Sequence, residues 1–270
     1  YAYNGLSLYA TKTTGYATAF LAQTPSITTD WFSIVLLGRI LSSILSIISL
    51  LLFFLIGKHL MGTWGGILSA SLATFTVGFI QYAHFTVTET YLVFFLLLAT
   101  FFSIRILKHN STKDWYFMAI AIGLAIGTKT TAASFLILPF IAGILQVMHH
   151  KKDWKRFIKP LIAFPILLSI SFAIVSPYSL INSSDFLNSM KEEKGKLITG
   201  ERQVPYTTQF LNTPPYLYVV KNIPWHAGFF IPALGAIGIL FWLYSIWKHK
   251  EPPYILPLLA FTLLYAVYVG

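Results

Sequence analysis

Residues 81–102 read QYAHFTVTETYLVFFLLLATFF. His84 and Glu89 stand just before a run, 90–104, that carries no charge. A carboxylate at the edge of such a run is costly if the surroundings are hydrocarbon. Whether they are decides the fold, and composition answers that. The 270-residue chain is 56% hydrophobic and only 10% charged, whereas soluble domains carry about 25% charged residues. That leaves too little polar surface to cover a water-facing exterior, so the solvent is lipid.

Spanning a bilayer takes about 20 apolar residues in a helix. Backbone groups in lipid must pair internally, so helices are the natural form of runs this long. Uncharged runs recur at 40–57, 61–83, 90–104, 115–128, 130–148, 160–184, 227–247 and 252–270. They predict an all-α integral membrane protein with about eight transmembrane helices, forming a single domain over 1–270. The run at 115–128 is short for a full span.

The net charge of +10 could suggest nucleic acid. The basic residues instead cluster in short loops, the pattern that sets membrane orientation. With 31–57 running inward, the inner loops hold Lys58, then Arg105, Lys108 and Lys113, then HHKKDWKRFIK, then Lys248 and Lys250. That is 11 of the 19 basic residues. This orientation puts residues 1–30, the His84–Glu89 turn and a long loop at 181–226 on the outer face. The loop shows a weak apolar face at Phe186, Leu187, Met190 and Leu197, and an i,i+4 pair at Glu192 and Lys196. A short helix lying at the membrane interface suits that pattern. VPYTTQFLNTPPYLY then reads as ordered loop.

Smaller signals carry less. Gly123 and Gly127 form a GxxxG, a weak helix-packing signal. Asn182-Ser183-Ser184 is a formal glycosylation sequon. The chain has no cysteine, which excludes disulfides and thiolate metal sites. The histidines are scattered, so no metal site and no cofactor is expected. The chain opens at Tyr1 and closes inside the apolar AVYVG, which reads as an internal piece of a longer protein.

Ionisable residues within membrane segments are functional candidates by default. Arg39, Glu89 and Lys129 qualify, with His84 close by. Each has a bland alternative. Arg39 can snorkel to the headgroups, Lys129 can bind free carbonyls at a helix end, and Glu89 can complement a helix N-terminus. Together they place one carboxylate and two cations on one side of the membrane, facing a Tyr-rich loop that adds Arg202. Cations at a membrane surface suit a lipid phosphate, and Arg can bind two of its oxygens at once. Stabilising a departing phosphate is a large term in group transfer.

Four stretches resemble one family. HFTVTETYLVFFLLLATFF resembles the H-x-x-T-x-D/E turn and following helix of GT-C glycosyltransferases of the protein-mannosyltransferase-like and aminoarabinose-transferase-like group. GLAIGTKTTAASFLILP resembles their G-L-A-x-G-T-K-Y stretch, VLLGRILSSIL their L-x-G-R-x-L-S segment, and VPYTTQFLNTPPYLY their P-Y-T-x-Q loop. The resemblance implies a membrane enzyme that moves a sugar from a polyprenyl-phosphate carrier to a protein, lipid or glycan acceptor on the extracytoplasmic face. It implies a bacterial or archaeal plasma membrane. By resemblance Glu89 is the second catalytic acid, with His84 beside it. Arg39 and Lys129 match basic positions assigned to the carrier phosphate, as Arg202 is. Tyr206, Gln209 and Tyr216 line the sugar or acceptor side. The family's main acid, in its first outer loop, has no counterpart in residues 1–30, which places it upstream of residue 1. Two other readings compete: a transporter or flippase using His84 and Glu89 as a proton relay, and a non-catalytic membrane scaffold related to the enzyme.

Overall fold

The computed structural model describes residues 5–149, 158–194, 217–249 and 254–269. Among them there are helices and no β-strand. The first helix, α1 (Leu6–Ala22), leads through a 3-10 turn at Pro25–Thr28 into α2 (Trp31–Thr74). Asp30 starts α2 as its N-cap, accepting from the Ser33 backbone N–H at 2.9 Å and the Ser33 hydroxyl at 2.7 Å. These bonds to the ionised form hold the Asp30 carboxyl below its ordinary range.

A straight helix of 44 residues would be about 66 Å long, twice what a bilayer needs. The chain avoids this by folding back at Gly62, whose φ of 77° and ψ of −174° suit a residue with no side chain. The two limbs, 31–61 and 63–74, then run antiparallel. A Cβ placed on Gly57 would lie 2.6 Å from the Gly65 carbonyl oxygen, and one on Gly66 would lie 2.7 Å from that of Phe54. Such close approach of two backbones is what small residues allow in lipid. The return limb continues through α3 (Val77–His84), where Phe79 meets Phe53 with ring centroids 5.4 Å apart and the Ala83 carbonyl receives the Ser43 hydroxyl at 2.9 Å.

From there α4 (Thr88–His109) descends alongside α2 and α5 (Thr112–Ile126) rises against α4. A break follows, with Lys129 in extended backbone before the 3-10 segment Thr130–Leu136. It leads into α6 (Ile137–His149), and α7 (Ile158–Val175) packs along α5. The two approach so closely that a Cβ on Gly123 would collide with the Ser171 hydroxyl and the Leu168 carbonyl, which gives the GxxxG its structural role. Short helices α8 (Pro177–Ile181) and α9 (Ser183–Lys194) follow, then α10 (Leu217–Ala227), α11 (Phe230–His249) and α12 (Leu256–Val269). The core lies among α4, α5, α6 and α12, where Ile106, Met118, Ile122 and Leu138 are fully buried.

Helices at Trp31–Thr74, Thr88–His109, Thr130–Met148 and Ile158–Val175 are long and apolar enough to cross a membrane. A fifth is added if Val220–Ala227 and Phe230–Ser245, bent by 111°, count as one. Among the described residues the expected eight is therefore not reached by length and composition. One reason is that α5 has only 15 residues where a span takes about 20. Another is that α2 holds the run 40–57 and the first part of the run 61–83 in one hairpin.

The helix ends sort by charge. At one end the Lys108 ammonium donates to the His59 carbonyl at the hairpin turn. Arg105 Nε lies 3.1 Å from the buried Asp114 carboxylate, tying α4 to α5. Glu89, at the other end of α4, is about 30 Å away by helix rise.

Candidate functional site

At the start of α4, Val87 is the N-cap and Glu89 sits in the first turn, where a negative charge complements the helix dipole. Its carboxylate has two further partners. Glu89 Oε1 accepts from Lys129 Nζ at 3.1 Å, and Oε2 accepts from the Thr88 hydroxyl at 3.1 Å. Both members of the ion pair are partly exposed, Lys129 at 23% and Glu89 at 33%. The pair is open enough to meet a ligand.

Lys129 reaches this position because the chain is not helical there. Gly127 ends α5, and Lys129 is extended, with φ −153° and ψ 132°. The Gly127 carbonyl, freed at the helix end, accepts from the Leu6 N–H at 3.2 Å. On the other side the Thr130 hydroxyl meets the Met190 sulfur at 3.6 Å, so α1 and α9 flank Lys129 from two directions. The helix α9 forms where an interfacial helix was expected. Phe186 and Met190 are half-buried and Leu187 is exposed; Lys196 and Leu197 lie outside the described residues.

The other candidates are placed differently. Arg39 is exposed on α2, next to Gly38, which meets the Thr86 side chain. That sets its backbone near the turn before Glu89, although no described residue pairs with its guanidinium. His84 donates from Nδ1 to the Ile80 carbonyl of its own helix at 2.7 Å and lines a cavity of about 300 Å³ with α2 and α4 residues such as Ser43, Ser49 and Thr90. No hydrogen bond joins it to Glu89, since Phe85 and Val87 are extended and separate the two. Arg202, Tyr206, Gln209 and Tyr216 lie outside the described residues. Among the described residues no three His, Asp or Glu side chains gather to hold a metal ion.

Two participants were not singled out from the residue pattern. Thr88 is one. Tyr82 is the other: its backbone carbonyl accepts from the Thr90 hydroxyl at 2.9 Å, which sets it against the first turn of α4. Both stand in the stretch YAHFTVTE, where hydroxyl residues precede the carboxylate; nothing in their spacing says which of them face it.

A family model described as dolichyl-phosphate-mannose-protein mannosyltransferase matches residues 33–181, which include Arg39, His84, Glu89 and Lys129. No curated protein and no solved structure matches the chain significantly.

Proposed function

Because the chain belongs to the dolichyl-phosphate-mannose-protein mannosyltransferase family, we propose that the Glu89–Lys129 end of the bundle is where a sugar leaves a polyprenyl-phosphate carrier for an acceptor. The family supports a membrane glycosyltransferase of the GT-C type. The ion pair at 3.1 Å carries the finer reading, since it sets a cation, held by a carboxylate, at the edge of the hydrocarbon.

In the reaction the acceptor oxygen or nitrogen attacks the anomeric carbon. The bond from that carbon to the phosphate oxygen breaks, and its electron pair leaves with the phosphate. The acceptor's proton passes to a carboxylate base, the role that the resemblance gives to an acid of the family's first outer loop. Lys129 neutralises the charge growing on the phosphate, and Arg39 adds a second cation from α2. Glu89 holds Lys129 in place and is a positioning residue, because its two carboxylate oxygens are already engaged by the Lys129 ammonium and the Thr88 hydroxyl. Arg202, Tyr206, Gln209 and Tyr216 are assigned to the carrier phosphate and the sugar or acceptor. The acceptor is a protein, lipid or glycan. The Arg105–Lys108 end faces the cytoplasm by the positive-inside rule, which puts the reaction on the extracytoplasmic face of a bacterial or archaeal plasma membrane.

The test uses full-length protein in proteoliposomes with a panel of polyprenyl-phosphate sugars. Lys129→Met is expected to cut transfer by roughly 100- to 1,000-fold, the scale of losing one charge-stabilising group. Glu89→Gln is expected to lose less, with helicity unchanged in both. Wild-type transfer by Lys129→Met removes the carrier phosphate from this site.

A further inference from the structure

A pocket of about 450 Å³ lies between the start of α1 and the α8–α9 corner. It sits beside the ion pair, because Leu6 is bonded to Gly127 and Met190 of α9 meets Thr130. Its lining differs from that of the other cavities. The 300 Å³ cavity near His84 shows a smaller share of polar surface, although Ser43, Ser46 and Ser49 line it, and a 700 Å³ crevice between α6 and α7 is walled by residues such as Phe140, Ile144 and Leu161. Around the α1–α9 pocket stand Ser7, Tyr9, Ser176, Ser179, Asn182 and Asp185. Ser176 is 4% exposed and its hydroxyl lies 2.6 Å from that of Ser179. Leu8 and Phe186 add apolar surface. Among the described residues no Lys, Arg or His lines it.

We infer that this pocket receives a pyranose ring, an inference that rests on the glycosyltransferase reading. A pyranose carries hydroxyls around its edge and apolar C–H faces above and below. The pocket offers the complement: hydroxyl and amide groups that donate and accept, with Leu8 and Phe186 for a face. The Asp185 carboxylate, in the first turn of α9, has no ion pair among the described residues. It accepts hydrogen bonds from ring hydroxyls, and bonds to a charged group are the stronger kind. Among the described residues no cation stands in its walls, so the phosphate is assigned to the nearby Lys129 and not to this pocket. The ring and the phosphate are thus divided between two neighbouring sites. The ring is either the one carried by the donor or one belonging to a glycan acceptor.

The experiment measures steady-state transfer by full-length protein from polyprenyl-phosphate hexoses and pentoses, to water and to glycan acceptors, with bare polyprenyl phosphate as inhibitor. Asp185→Asn is expected to raise KM for the ring-bearing partner about tenfold, a loss of about 1.4 kcal/mol. Inhibition by bare polyprenyl phosphate is expected to stay unchanged. Ser179→Ala gives the same pattern, smaller. A rise in donor KM assigns the donor's ring, and a rise in acceptor KM assigns the acceptor's; either supports the pocket. Transfer by the wild type that both variants leave unaltered overturns the pocket alone, as does equal weakening of the bare phosphate. No sugar release by the wild type from any carrier overturns the glycosyltransferase reading beneath it.

Discussion

Glu89 and Lys129 are 40 positions apart and meet at 3.1 Å. Each alone is an expensive residue at the edge of lipid; joined, they bring no net charge. Their pairing serves two ends, holding the start of α4 against the α5–α6 break and setting an ammonium where a phosphate can reach it. A charge reversal separates the two. Glu89→Lys alone puts two cations together and lowers the thermal midpoint of the detergent-solubilised protein. Adding Lys129→Glu restores the midpoint and leaves transfer absent, because the cation then sits on the wrong helix. Recovery of transfer in the double variant would leave the pair a structural role only. At this scale the residue pattern was half legible. An ionisable side chain in an apolar run announces itself, so Glu89, Lys129 and Arg39 stood out. Their partners did not. His84 looked matched to Glu89 by nearness in sequence, but two extended residues turn it toward Ile80 and the cavity behind α3. Thr88 and Tyr82 are common residues whose orientation depends on the backbone around them.

Among the elements, the hairpin of α2 and the break after α5 shape the site most. The runs at 40–57 and 61–83 were legible as two segments because Lys58 interrupts the apolar pattern. The turn itself depends on Gly62, whose conformation is nearly closed to other residues. Gly62→Ala is expected to cost about 1–3 kcal/mol, read as a lowered thermal midpoint in detergent. Gly235→Ala, on α11 with open space around it, is the control and is expected to leave the midpoint little changed. Equal behaviour of the two would mean the turn does not rely on glycine. The break at Lys129 was legible as a helix end, but not as an extended residue leading into a 3-10 segment. GLAIGTKTTAAS has no proline, and Ala and Leu would let a helix continue. The chain opens there because the Gly127 carbonyl finds Leu6 and the Lys129 ammonium finds Glu89. Both contacts come from distant parts of the chain and carry no local signal.

At the scale of the whole molecule, the class was plain from composition, since lipid rewards uncharged runs whatever their order. The number of crossings was not, because a 15-residue helix such as α5 is judged by what surrounds it. The pocket between Tyr9 and Asp185 was invisible for a related reason: its walls are far apart in the chain and polar in an ordinary way. The division of charge between the two ends gives a direct test of sidedness. The chain contains no cysteine, so single cysteines can be placed without removing any. Asn110→Cys at the basic end is expected to react with a membrane-impermeant maleimide only after the cytoplasmic side is opened. Thr86→Cys, near Glu89, is expected to react from outside in sealed cells. The reverse pattern would turn the protein over and move the reaction to the cytoplasm.

The hairpin at Gly62 has one more consequence, which concerns parity. Its limbs leave the Thr86 end and return to it, so together they change nothing about which side the following helices begin on. A chain that gained or lost this pair as a unit would keep Glu89, Lys129 and every later loop on its original face. A change that removed one limb would invert them all. Sidedness alone therefore treats the pair as one module, although its loss would also take Arg39 away, and Gly62, the turn residue that keeps it even-numbered, is the point at which a small error would be felt furthest away.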